Sequence, residues 1–135
     1  FGAIIFGRLS DKVGPKRSII AALILWLAVI IILINTETIL GFVIAGSLGG
    51  IAMSAVWTLN RHMILVLSPK KKIAQFFGIE GLTEKFSGVL GPVIFGFLAS
   101  RYSYTAALIS MLFFFSFGMI VLILKVSVAK SSKKI

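Results

Sequence analysis

Four stretches of this chain, 18–34, 39–66, 73–99 and 105–124, are predominantly apolar and long enough, or nearly so, to cross a hydrocarbon core. A spanning helix needs about 20 such residues, and no other property of the sequence restricts the fold as far. Composition agrees. The mean hydropathy of +1.08 and the 59% hydrophobic content lie outside the range of soluble domains, whose surfaces need more charge. The expected fold class is all-α, a polytopic transmembrane helix bundle, and the expected location is a lipid bilayer, as an integral multi-pass membrane protein.

Between the spans lie 8–17, "NTET" at 35–38, "SPKKK" at 68–72 and "SRYSY" at 100–104. Connections this short make neighbouring helices antiparallel. Residues 1–7, "FGAIIFG", rise only about 10 Å as a helix. They lack an initiator Met and show no cleavable signal pattern, so they are expected to be the end of a truncated helix. A net charge of +10 raises the question of nucleic acid, but the basic residues form short clusters between apolar runs rather than one polar face. No nucleic-acid partner is inferred. Without cysteine there is neither a disulfide scaffold nor a thiolate metal site.

Short loops rich in Lys and Arg stay on the cytoplasmic side. One side receives Arg8, Lys12, Lys16 and Arg17, then Lys70, Lys71 and Lys72, then Lys125, Lys130, Lys133 and Lys134; the other receives only Arg101. The loop 8–17, the loop 68–72 and the basic tail 125–135 are therefore expected to be cytoplasmic.

The stretch "GRLSDKVGPKR", 7–17, is the most specific piece of the sequence. Gly7 is read as letting a helix end against close backbone. Gly14 can supply a turn with positive φ, and Pro15 resists continuation of the helix before it. Asp11 is placed to accept hydrogen bonds or to face the positive N-terminus of a neighbouring helix. Gly7, Leu9, Asp11, Lys12, Gly14, Lys16 and Arg17 match the loop motif G-x-L-x-D-(R/K)-x-G-x-(R/K)-(R/K), and the chain in this respect resembles the major facilitator superfamily. In that family the motif follows the second and, more weakly, the eighth of twelve helices and helps latch the cytoplasmic side. The resemblance thus implies a conformational latch of Gly7, Asp11, Lys12, Gly14, Lys16 and Arg17. Since four spans and a tail follow it, the resemblance also implies a partial C-terminal half of a twelve-helix carrier over 1–135, with the N-terminal half elsewhere in the same protein.

A second resemblance covers the segment from Leu59 to Leu98. Arg61, Leu67, Pro69, Phe76, Phe77, Gly78, Lys85, Gly91 and Pro92 match vacuole-effluxer or autophagy-type permeases and their bacterial relatives. Trp57 and Glu80 depart from that pattern, where a polar and an aromatic residue respectively are expected. The resemblance implies amino-acid efflux as the activity of eukaryotic members. It implies the vacuolar membrane for a eukaryotic chain and the cell (inner) membrane for a prokaryotic one.

Ionisable groups within so apolar a segment need a partner or a function. For a helix starting near Ile73, Glu80 lies about 10 Å from the cytoplasmic end, Glu84 about 16 Å and Lys85 about 18 Å. Glu80 and Glu84 share one helix face, and Lys85 lines up with Gly78, Gly81, Gly88 and Pro92. Two carboxylates on one face make simultaneous ionisation costly unless a cation is near, a condition that suits a coupled proton. Arg61 lies at a similar depth to Glu80 across the hairpin and is the natural cation for it; the alternative is a side chain that snorkels to the interface. Glu84 and Lys85 read either as a structural ion pair or as substrate, coupling or gating residues. Arg61, Glu80, Glu84 and Lys85 are the candidate network.

Two rows of small residues, Gly46, Gly50, Ser54 and Gly41, Ala45, Gly49, allow close helix contact in lipid. Pro92 after Gly91 should bend its helix, since it removes one backbone hydrogen bond, and the pair is the candidate helix hinge. His62 reads as an interfacial side chain, and Trp26, Trp57 and 113–117 as lipid or packing contacts. No catalytic, cofactor or metal constellation is present in the sequence, and no enzyme is expected. The expected function is secondary active transport of a small solute by alternating access. The alternative is a self-contained four-helix membrane protein, either a small dimeric exporter or a non-transporting assembly subunit. An upstream reading frame of about 250 or more residues with further apolar spans would separate the two.

Overall fold

A computed structural model describes residues 2–126. Its helices are α1 (Gly2–Val13), α2 (Pro15–Asn35), α3 (Ile39–Leu67), α4 (Ile73–Arg101) and α5 (Tyr104–Lys125), with a 3-10 turn at Lys70–Lys72 leading into α4. The four long apolar runs fold as α2 to α5, each long enough to span a membrane. Local chemistry sets several of the ends. Thr38 Oγ1 accepts from the Gly41 amide at 3.2 Å and Ser103 Oγ from the Ala106 amide at 3.0 Å, each satisfying a donor that the first turn of α3 or α5 leaves free.

The segment 8–17 departs from expectation. A loop over 8–17 was the reading of its charges, but α1 carries Arg8 to Val13 as helix and α2 starts at Pro15, leaving Gly14 alone between them. Nothing from Arg8 to Val13 breaks a helix; the breakers are Gly14 and Pro15. Gly14 has φ 92, where a Cβ would be strained, and Pro15 begins a helix easily because its missing N–H is not needed there. The helix also passes straight through Gly7. No described side chain or neighbouring backbone stands within 4 Å of where a Gly7 Cβ would be, whereas a Cβ on Gly2 would collide with Ser54 and Ile51 of α3. Close backbone approach is therefore made at Gly2, a turn and a half earlier.

The core sits among α1, α2 and α3. Ile19, Ala22, Ala55, Leu59 and Met63 form it, and Leu122 and Val126 reach it from the end of α5. On α3 the buried positions Ala45, Ala52, Ala55, Leu59 and Met63 recur at helical spacing, and the alanines let α2 approach closely. Of the two small-residue rows, the one through Ala45 faces α2, with Gly49 3.6 Å from Val29 at its Cβ position, while Gly46 and Gly50 face open space. Trp26 stacks on Phe115 at 5.4 Å between α2 and α5, and Phe95 meets Tyr104 edge-on at 5.7 Å. Among the described residues α4 contributes none that is buried.

Two long-range contacts set the bundle's polarity. Ser10 near the end of α1 bonds to His62 near the end of α3, and Lys16 at the start of α2 bonds to carbonyls at the end of α5. The described basic residues Arg8, Lys12, Lys16, Arg17, Lys70, Lys71, Lys72 and Lys125 thus gather at one end, with Arg101 at the other. Lys130, Lys133 and Lys134 of the tail lie outside the described residues.

Candidate functional site

Between α3 and α4 lies an open cavity of about 560 Å³ that brings charge into an otherwise apolar bundle. Trp57, Asn60, Arg61 and Ile64 line it from α3, and Phe76, Glu80, Thr83, Glu84 and Ser87 from α4. Both sets follow the three- and four-residue spacing of a single helix face. Three of the four network residues expected from the sequence, Arg61, Glu80 and Glu84, therefore share one space.

Their pairing is different from the expected one. Glu80 Oε1 accepts from Asn60 Nδ2 at 2.9 Å, so its described hydrogen-bond partner is the neighbour of Arg61 and not Arg61 itself. One residue corresponds to about 100° around a helix, and the phase of α3, set by the buried Leu59 and Met63, turns the short Asn60 amide toward α4. Arg61 and Glu84 are both solvent-exposed in the cavity wall, and Glu80 is half-buried. Thr83 and Ser87 satisfy their hydroxyl hydrogens on their own helix, at Ile79 O (2.9 Å) and Thr83 O (2.8 Å). Their lone pairs remain available to a bound molecule.

Lys85 is exposed and does not line this cavity. Adjacent residues on a helix do not face each other, so Glu84 and Lys85 point to different sides. The row of Gly78, Gly81 and Gly88 that accompanies Lys85 meets no described neighbour within 4 Å. Gly91 and Pro92 lie on a second, larger and apolar cavity of about 820 Å³ between α4 and α5, which also touches Ser87, Phe95, Met111 and Phe115. α4 continues through Pro92 as one helix, although the proline leaves the Gly88 carbonyl without its usual amide partner.

The residues expected to form a latch are placed differently from one another. Asp11 and Lys12 are exposed at the end of α1, Gly14 makes the turn, and Arg17 is exposed on the first turn of α2. Lys16 is turned inward, where its Nζ donates to Ile123 O at 2.9 Å and Val126 O at 2.5 Å. A cation there complements the negative C-terminal end of α5. Sequence reasoning missed Asn60 and Ser10 and gave His62 only an interfacial place. For Asn60 a signal existed, since an amide beside Arg61 inside an apolar span is itself costly without a partner.

The chain is 25% identical over 121 residues to the "Uncharacterized MFS-type transporter YxiO" of Bacillus subtilis, covering 89% of this chain and 28% of that protein. It is 27% identical over 92 residues to the "MFS-type efflux pump MMF1" of Pseudozyma antarctica, covering 68% and 17%, and 28% identical over 122 residues to "Autophagy-related protein 22" of Candida glabrata, covering 77% and 22%. It thus spans between about a sixth and somewhat over a quarter of the length of these relatives. No solved structure gives a significant match. The family model described as Major Facilitator Superfamily matches residues 1–135, and with four helices long enough to span a membrane, the chain belongs to that superfamily.

Proposed function

We propose that these helices work in a secondary active transporter of a small solute, moving it by alternating access between two states of the bundle. The observation that carries this reading is the meeting of Arg61, Glu80, Glu84 and Asn60 in one open cavity within apolar spans, where ionisable groups are costly and mark substrate, proton or gating pathways. The α1–α2 corner, with Asp11, Lys12, Gly14, Lys16 and Arg17, acts as the latch at the basic end, which faces the cytoplasm. Glu80 and Glu84 accept the coupled proton, Arg61 and Lys85 take part in binding or gating, and Gly91–Pro92 is the hinge. The other half of the substrate site comes from the N-terminal half of the carrier.

Amino acids are the proposed substrate class, supported by the permease-like segment Arg61 to Pro92 and the similarity to Autophagy-related protein 22; efflux is the proposed direction. The membrane is the inner membrane in a bacterium and the vacuolar membrane in a eukaryote. The family match over the whole chain favours a carrier over a self-contained four-helix exporter or assembly subunit. The test uses purified full-length protein in liposomes, with counterflow of labelled amino acids measured with and without a pH gradient. The expected result is gradient-stimulated exchange that the Glu80→Gln, Glu84→Gln double variant loses. Exchange by the double variant at the native rate and gradient dependence would remove both carboxylates from coupling.

A further inference from the structure

The hydroxyls of Ser47, Thr58, Thr83 and Ser87 bond to carbonyls four residues back on their own helices, the cheapest way to satisfy a hydroxyl in lipid. Ser10 does otherwise. It is 2% exposed, and its Oγ lies 2.9 Å from His62 Nδ1, on another helix and 52 residues away in sequence. Either the hydroxyl donates to a neutral Nδ1 or an Nδ1–H donates to the hydroxyl; both tie the two helices at the same point.

His62 and Asn60 are two residues apart, about 200° around α3. They therefore point to nearly opposite sides, His62 to α1 and Asn60 to Glu80 on α4. Arg61 stands between them in sequence and faces the cavity. α3 is bonded on both flanks at the level of the charged site, and α1 cannot leave or rotate without either breaking the Ser10 bond or turning α3. Ser10 is also next to Asp11, the exposed carboxylate of the latch.

We propose that Ser10 and His62 form an interhelical clasp that positions Arg61 in the charged cavity and couples it to the α1–α2 latch. This rests on the transport reading above. Ser10 and His62 are positioning residues that act through α3, and they need not touch the solute.

The test is a double-mutant cycle on the full-length protein in liposomes, with spin labels on Val13→Cys and Val66→Cys, both exposed positions near the ends of α1 and α3. Ser10→Ala and His62→Leu should each shift the ratio of close to separated α1–α3 distances by about three- to tenfold, the range of one hydrogen bond. The double variant should add little to either single change, because both remove the same contact. Ser10→Thr and His62→Asn, which keep a bonding group near each site, should hold the native distribution and give a second set of variants if the first fail to insert. Additive shifts, or distributions that match the native one in every variant, would overturn the clasp. Amino-acid exchange is measured in parallel. A protein that exchanges no amino acid but shows the non-additive distance cycle would refute the substrate reading and leave the clasp standing, whereas normal exchange with an additive cycle would do the reverse.

Discussion

α3 and α4 are both 29 residues long and both rich in glycine, yet they stand in opposite relation to the rest of the molecule. α3 buries Ala45, Ala52, Ala55, Leu59 and Met63 and carries close approaches at Gly49 and Ser54. Among the described residues α4 buries nothing, and Gly78, Gly81, Gly88, Gly91 and Gly96 meet no neighbour. α4 also bears Glu80, Glu84 and Lys85. Among the described residues, the small residues of these two helices thus behave differently. They close an interface where a partner's side chain or backbone fills the space, as Val29 does at Gly49, and otherwise leave a smooth face. Where such a face also holds charge, lipid is a poor cover for it, which is why α4 is the helix to which function is assigned above.

The contrast breaks most directly at a pair of leucines. Leu59→Ala on α3 removes a fully buried side chain and should destabilise the bundle by about 2–5 kcal/mol, whereas Leu82→Ala on α4, where the residue is 64% exposed among the described residues, should cost less. Reversible unfolding of the full-length protein in detergent measures both, and an equal loss for Leu82→Ala would mean that α4 has a packed face after all. The order should invert for transport. Lys85→Met is expected to slow exchange by tenfold or more, about 1.4 kcal/mol, with insertion intact. Adding Glu84→Gln should not restore the rate. Recovery in the double variant would instead identify a structural ion pair, in which the penalty came from one unpaired charge. The smallest effect belongs to Gly88→Ala, which should leave stability unchanged or raise it by up to about 1 kcal/mol through helix propensity. A larger loss would reveal a neighbour pressed against that row.

Much of this was legible in the sequence. Predominantly apolar runs define α2 to α5 because a bilayer imposes length and little else, and the positive φ at Gly14 follows from the residues around it. The extension of α1 to Val13 was not legible by charge: Arg8, Asp11 and Lys12 look like loop, but at a membrane surface charge marks depth rather than the end of a helix. Depth and face were enough to bring Glu80, Glu84 and Arg61 together. They could not choose Asn60 over Arg61 as the partner of Glu80, since the rotation of α3 is set by tertiary packing of Leu59 and Met63. Nor could they place Lys85 outside the cavity, because a helical net gives a direction and not what lies along it.

The bond from Lys16 to Ile123 and Val126 has a consequence for how the chain is made. Its donor leaves the ribosome more than a hundred residues before its acceptors exist. Until α5 is in place, the Lys16 ammonium lacks the two carbonyls that hold it in the finished fold. α5 closes the structure twice over, covering α2 along its length and supplying the carbonyls that Lys16 awaits. A helix made more than a hundred residues later thus supplies the acceptors for the first turn of α2, and the Lys16 end of the α1–α2 corner is completed only when α5 is in place.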